Sequence, residues 1–183
     1  IGIDGQFFDG KLDLIIDFWR KDTKDLLLQV PITATAGPNA APPAVNVATM
    51  WNEGIDMSIG TKGNITNDLS YDVTLNASWL RNEITGLAPG LTYLTTINPS
   101  YRGIQPIRNQ LGYSISSFYG YKVLGLFQTN EEVAAAPVQS GKAVGRFRYE
   151  DINGDGEITT ADRTYLGSPV PKFTGGFNFI LRY

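Results

Sequence analysis

The feature that most constrains this chain is a strict alternation of apolar and polar side chains over unusually long segments. Residues 69–79 show it best, because every second residue is apolar and the residues between them are only Ser, Asp, Thr and Asn. Successive side chains of an extended strand point to opposite faces, so this pattern predicts a β-strand with one apolar and one polar surface. The apolar surface consists of Leu69, Tyr71, Val73, Leu75, Ala77 and Trp79.

The same alternation recurs in four other segments, at 1–8, 11–20, 45–61 and 172–183. Globular strands average about 5–6 residues, whereas a tilted strand that crosses a bilayer needs about 9–11. Several of these segments reach ten residues, their apolar faces carry almost no charge, and aromatic residues lie near their ends. The pattern favours an all-β fold of antiparallel strands that form part of a transmembrane outer-membrane β-barrel with long extracellular loops. A soluble antiparallel sandwich also alternates and is the competing interpretation.

The connections between these segments alternate between short and long. Asp9-Gly10 predicts a two-residue hairpin and 62–67 a short turn, whereas 21–44 and 86–112 are long and rich in Pro, Gly and Thr. Long loops of outer-membrane barrels lie outside the cell, so the insertion at 128–171 is also expected there. An external position for this insertion requires one further strand within 86–112. The candidate is 91–97, followed by a turn at Asn98-Pro99 and an ascending strand near 113–127.

Composition removes several classes of function. The chain has no Cys and no His, which excludes disulfides, thiol nucleophiles, Cys/His zinc sites and every Ser-His or Cys-His catalytic arrangement. The net charge is −3 and shows no basic clustering, so nucleic acid is not an expected partner. Asp13 and Asp17 lie on one strand face about 13 Å apart, too far for a glycosidase acid pair. We therefore expect no catalytic residues, and an accessory domain of a glycoside hydrolase is the least favoured alternative.

The sharpest local motif is the acidic loop DINGDGEITTAD at 151–162. Its spacing matches the EF-hand-type calcium loop, in which oxygen ligands occupy positions 1, 3, 5, 7, 9 and 12, and Gly156 stands where that loop turns sharply. Ile158 is expected to pin the loop to a neighbouring core, and the alternative is an Asx-rich turn that binds nothing. The predicted Ca²⁺ has a structural role, and its ligands are Asp151, Asn153, Asp155, Glu157 (through its carbonyl), Thr159 and Asp162.

The aromatic residues of 113–127 allow two interpretations. Tyr113, Phe118, Tyr119, Tyr121 and Phe127 offer flat rings on which sugars could stack. Packing between strands, or a membrane girdle, is the simpler use of such residues and is favoured here.

Two motifs taken together resemble a known family. The stretch FYGYKVLGLFQ at 118–128 and the stretch DINGDGEITTADRTYLGSPVPKF at 151–173 occur in order, with further matching stretches at 14–29 and 45–59. In this combination the chain resembles the SusC/RagA family of TonB-dependent outer-membrane transporters. The resemblance covers most of the sequence.

The resemblance implies that 1–183 is a partial barrel domain, a late portion of a 22-strand barrel without its plug domain, TonB box and early strands. It further implies import of glycans, oligosaccharides or peptides across the bacterial outer membrane, with a SusD-like surface lipoprotein as lid and energy supplied through TonB. The expected surroundings are outer-membrane lipid and transported substrate. The alternative is a soluble calcium-stabilised β-module for adhesion or carbohydrate binding.

Overall fold

The computed structural model describes residues 1–29, 43–95 and 105–183 of the chain. Strands dominate these residues, and they divide into two compact units. Unit 1 comprises Ile1–Thr92, Gln110–Ile115 and Val170–Tyr183, whereas unit 2 comprises Tyr93–Asn109 and Ser116–Pro169. No helix within the described ranges is both long and apolar enough to cross a membrane.

Unit 1 is built on one antiparallel sheet of five strands. They are β1 (Gly2–Phe7), β2 (Leu12–Gln29), β3 (Ala44–Asn64), β4 (Ser70–Leu87) and β11 (Phe173–Arg182). Their order in the sheet is β1-β2-β3-β4-β11. Each strand pairs with its sequence neighbour, except that β11 returns from the C-terminal end of the chain to pair with β4.

These strands are longer than the alternation predicted. β2 and β4 each have 18 residues and β3 has 21, so residues 21–29 and 44 of the segment 21–44, predicted as a loop, are strand instead, while 30–42 lie outside the described residues. The apolar–polar alternation is interrupted in the second half of β2 because the β2–β3 ladder shifts register between Thr23 and Leu27. Each shift moves the following side chains to the other face of the sheet. The β3–β4 ladder also shifts register, beside Met50.

The turn around Asp9-Gly10 has the features of the predicted two-residue hairpin turn. The Lys11 amide donates to the Phe8 carbonyl at 3.3 Å, so Asp9 and Gly10 are the two central residues of a hydrogen-bonded turn. Both have a positive φ, at 56° and 76°, as a type I′ turn requires. Phe8 also has a positive φ, at 55°, and the paired ladder ends at Phe7 and Leu12.

The second half of β4 has a different partner from the first half. β11 pairs with β4 from Ser70 to Trp79. Farther along β4, Ile84 donates its amide to the Tyr113 carbonyl at 2.9 Å. The Ile84 carbonyl accepts the Gly112 amide, also at 2.9 Å. The buried Asn82 fixes the same segment, because its Oδ1 accepts the Ser114 hydroxyl at 2.8 Å and the Ile115 amide at 3.0 Å.

Unit 2 contains short strands in two small sheets. The predicted strand near 113–127 is in fact two strands of different sheets, separated at Lys122. Of the predicted strand 91–97, the structure describes 91–95, in which Tyr93–Thr95 is strand, and 96–99 lie outside the described residues. The first sheet, in the order β10-β7-β6-β5, contains β5 (Tyr93–Thr95), β6 (Ile107–Gln110), β7 (Ser117–Tyr121) and β10 (Arg163–Gly167). The rest comprises β8 (Val123–Leu126), β9 (Phe147–Tyr149), a helix α1 (Asn130–Ala135) and a 3-10 helix (Thr160–Asp162).

Candidate functional site

The unit 1 sheet has one continuous apolar face. Strand register places its apolar residues in rows that cross the sheet, such as Leu14, Ile59, Leu75 and Phe177. Many of these side chains are exposed, and Phe177 is 70% exposed. A soluble monomer rarely exposes an apolar patch of this extent. The exposed members of this face are Ile3, Phe7, Phe18, Ile55, Leu75, Trp79, Phe173, Phe177, Phe179 and Leu181.

The apolar face is bounded at both ends. Tyr71 lies at the end near the short turns, and Trp79 lies eight residues farther along β4. Eight residues of strand span about 27 Å. With a strand tilt of roughly 40° from the barrel axis, this length covers about 20 Å along the axis, close to the height of a barrel's apolar band. Beyond Trp79 the next row, Arg20–Glu53–Arg81, is charged. Both arginines lie over the ring of Trp51, at 5.2 and 5.4 Å.

The opposite face of the same sheet is polar. Its rows carry Asp, Ser, Thr and Asn, and one shallow depression on it has a volume of about 440 Å³. Asp13 and Asp17 both lie on this face, and Asp17 is directly opposite Asp56 on β3. The indole Nε1 of Trp19 donates to Asp56 at 2.8 Å. The Ser78 hydroxyl also donates to Asp56.

Trp19 therefore belongs to the polar face and not to an outer aromatic girdle. Its indole lies against Gly54, where a Cβ atom would be 2.8 Å from the ring and 2.6 Å from the Trp79 carbonyl oxygen. Glycine is the residue that allows this close approach. The sequence did not predict this contact, because Gly54 and Trp19 are adjacent only through the β2–β3 register.

The acidic loop is ordered by hydrogen bonds from its own backbone. Asp151 accepts the amides of Gly154 and Gly156 at 2.7 and 2.8 Å. Asp155 accepts the Glu157 amide at 2.9 Å and the side-chain amide of Asn153 at 2.7 Å. Gly156 has a φ of 85°, which agrees with the sharp turn predicted there.

Asp162 is fully buried and closes the loop at its base. One carboxylate oxygen accepts the Ile152 amide at 3.0 Å, and the other accepts the Thr159 amide at 2.7 Å. Thr159 in turn caps the 3-10 helix. The Thr159 amide, helped by the amides of Ile152 and Asn153, lowers the pKa of the Asp162 carboxyl although burial opposes the change. The carboxylate is therefore ionised at neutral pH, and it stabilises the loop through the main chain.

The loop is attached to the rest of unit 2 through its backbone, and the predicted packing of Ile158 against a core stays a prediction. Val138 donates its amide to the Gly156 carbonyl at 2.8 Å and accepts the Ile158 amide at 2.7 Å. Among the described residues, no three His, Cys, Asp or Glu side chains are grouped as they would be around a metal ion. Calcium binding by Asp151, Asn153, Asp155, Glu157, Thr159 and Asp162 stays a prediction.

The aromatic residues of 113–127 mostly serve packing in unit 2. Tyr119 contacts the ring of Tyr165 edge-on at 5.2 Å, and Tyr121 contacts Tyr149 at 5.4 Å. Phe127 is 1% exposed, whereas Phe118 is 43% exposed. The packing interpretation therefore describes most of this segment.

Comparison with known proteins places the whole chain among TonB-dependent receptors. It is 34% identical to TonB-dependent receptor P3 of Formosa agariphila and 28% identical to TonB-dependent receptor SusC of Bacteroides thetaiotaomicron, over its full length in both cases. It also superposes along its full length on the RagAB peptide transporter, with a TM-score of 0.73 and 22% identity. The chain belongs to the SusC/RagA family of TonB-dependent receptors. No family model matches it.

The similarity to these proteins covers only a segment of their length. This SusC/RagA-type chain spans between 17% and 19% of the length of its curated relatives and 19% of the RagAB chain. The fold is that of antiparallel strands from an outer-membrane barrel. In such barrels the apolar face of each strand contacts lipid and the polar face lines the interior. The row of Leu75 therefore faces lipid, and the row of Asp56 faces the interior.

Proposed function

We propose that the protein containing this chain imports a nutrient across the bacterial outer membrane, and that unit 1 supplies part of the barrel wall. The observation that carries this proposal is the single sheet with an exposed apolar face and a polar face opposite it. Such a wall separates lipid from a wet transport path. The wall itself forms and breaks no covalent bonds, so this segment acts by position and surface chemistry and not as an enzyme.

The cargo is a glycan, an oligosaccharide or a peptide, and a SusD-like lipoprotein closes the barrel from outside. The relatives named SusC and RagAB support this assignment, and the second is described as a peptide transporter. Energy reaches the transporter through TonB, which acts on parts of the protein beyond this segment. In this proposal the insertion at 128–171 lies on the extracellular side, because the long loops of outer-membrane barrels do so.

Uptake by intact cells tests this function. We expect bacteria that lack the parent receptor to lose accumulation of its labelled cargo, and cells with the receptor to lose accumulation when the inner-membrane proton gradient is collapsed. Detergent-phase partition of the purified receptor is the accompanying measurement. A receptor that partitions into water and folds without detergent would support the soluble adhesion or carbohydrate-binding module instead.

We further propose that the acidic loop binds one structural Ca²⁺. Carboxylate, amide and carbonyl oxygens are the ligands that Ca²⁺ prefers, and this loop provides them within twelve residues. Each carboxylate oxygen of Asp151 accepts one backbone hydrogen bond, from Gly154 or Gly156, and retains a second acceptor position. Ca²⁺ bound there would offset the mutual repulsion of the loop carboxylates, while this chain's own backbone amides orient them.

Calorimetric titration with Ca²⁺ checks this proposal. We expect the parent receptor to show one binding event that Asp155→Ala removes, because the variant loses a carboxylate at the fifth loop position. Asp68→Ala is the matched control, since Asp68 lies in the short turn of unit 1 and far along the chain from the loop. Equal heats from the wild type and Asp155→Ala would refute calcium binding by this loop.

A further inference from the structure

A groove crosses the lipid-facing side of the unit 1 sheet at the end that is remote from the short turns. It follows the boundary between the last apolar row and the first charged row, and its volume is about 720 Å³. Because a row runs from strand to strand, the groove extends over several strands. We name it the rim groove, and its two sides are formed by Phe18, Ile55 and Trp79 and by Arg20, Glu53 and Arg81.

One side of the rim groove is apolar and exposed. Phe18, Ile55 and Trp79 are all exposed, and strand register places them side by side. Phe173 of β11 continues the same row, and its ring centroid lies 5.0 Å from that of Trp79. This row is the edge of the surface that contacts lipid, so it offers an acyl chain a continuous apolar contact.

The other side of the rim groove is mainly cationic. Arg20, Arg81 and Lys172 line the groove, and Glu53 is the one acid among the described residues of its lining. Basic residues beside an apolar membrane surface attract anionic lipid headgroups. The groove therefore fits an amphiphile whose acyl chain meets the apolar side and whose anionic headgroup meets the arginines.

The ion pairs of the two arginines leave donors available for a further anion. Arg20 contacts Asp22 at 3.3 Å and Glu53 at 3.4 Å, and Arg81 contacts Glu83 at 3.7 Å. Asp22 and Glu83 lie one row beyond the arginines, on the side away from the rim groove. The arginine side chains are 54% and 70% exposed, and such exposed pairs hold their partners weakly. Each guanidinium has five N–H donors, more than these contacts use.

Trp51 fixes both guanidinium groups at the boundary. Its ring centroid lies 5.2 Å from the guanidinium carbon of Arg20 and 5.4 Å from that of Arg81. The ring attracts each cation through its quadrupole, so the two arginines are held at the same height above the apolar band. A phosphate accepts paired hydrogen bonds from the planar fork of arginine, and phosphates are the anions of lipid headgroups at this depth.

We propose that the rim groove binds a phosphorylated lipid of the outer leaflet. Its acyl chain lies along the row of Phe18, Ile55 and Trp79, and its phosphate meets Arg20 and Arg81. The leaflet follows from the position of the groove, because the short turns of outer-membrane barrels are periplasmic and the groove is at the opposite end of the sheet. This site goes beyond the import function, since a lipid on the outer surface of the wall does not enter the transport path.

Lipid binding by the purified parent receptor in a neutral detergent tests this proposal. The probe is diphosphoryl lipid A, compared with the same lipid after its phosphates are removed. We expect the wild type to prefer the phosphorylated lipid, and the double variant Arg20→Gln/Arg81→Gln to bind it about tenfold more weakly. Arg182→Gln is the matched control, because Arg182 is an exposed arginine of the same sheet outside the groove, and it should bind like the wild type.

Three results would overturn the proposal. They are equal affinity of the wild type for the two lipids, unchanged lipid A binding by a folded double variant, and displacement of lipid A by an equal concentration of inorganic phosphate, which would indicate a site for the free ion. A gel shift between folded and unfolded receptor confirms that the double variant is folded. The comparison of the two lipids uses the wild type alone and does not depend on any variant. Binding is measured without transport, so loss of uptake would contradict only the import function.

Discussion

Leu75→Arg is expected to impair assembly of the barrel, by roughly 2–4 kcal/mol if the residue lies near the middle of the bilayer. Leu75 is 45% exposed on the apolar face, between Ile59 of β3 and Phe177 of β11. The cost arises because the arginine must enter hydrocarbon, where its charge loses hydration and finds no partner. Equilibrium unfolding of the parent receptor in lipid vesicles, followed by a gel shift between folded and unfolded forms, measures the change.

The neighbouring residue provides the control for this prediction. Asn76 is next in the same strand, on the polar face, and lines the depression there. Asn76→Arg adds the same side chain toward water, so we expect folding to be affected by less than about 1 kcal/mol. Equal damage from both substitutions would show that the two faces are assigned incorrectly.

Period-two alternation predicted the fold of unit 1 well. Successive side chains of a strand point to opposite faces, so a strand with one apolar and one polar face alternates apolar and polar residues along its sequence. The strand from Ser70 to Trp79 was found with both faces correctly assigned. The prediction failed where register shifts, as between Thr23 and Leu27, because a bulge exchanges the faces without a break in the strand. It also failed in unit 2, where strands of three to five residues are too short to show a period.

The candidate sites were predictable only where their residues are close in sequence. The acidic loop was found because its backbone and side chains act within twelve residues. The contact of Trp19 with Gly54, and the pairing of Asp17 with Asp56, depend on strand register and were not predicted. The stacking of the Arg108 guanidinium on the rings of Tyr93 and Tyr119 was missed for the same reason, since the two rings reach it from two other strands.

The motif FYGYKVLGLFQ, which contributed to the family resemblance, contains the largest fully buried side chain of the described residues. That residue is Phe127, which is 1% exposed and directly follows β8. Its amide donates to the Arg146 carbonyl at 3.0 Å, and its carbonyl accepts the Gly145 amide at 2.8 Å. The backbone therefore fixes the position from which the ring enters the interior of unit 2.

Phe127→Ala is expected to destabilise unit 2 by about 3–5 kcal/mol, because it removes a fully buried ring and leaves a cavity that rigid strands cannot fill. Limited proteolysis of the folded receptor should then cut within 116–169 much faster than in the wild type. Phe147→Ala deletes the same ring at a position that is 56% exposed in β9, so its cleavage rate should change little. If the two variants were cut at the same rate, the ring of Phe127 would not be what holds unit 2 together.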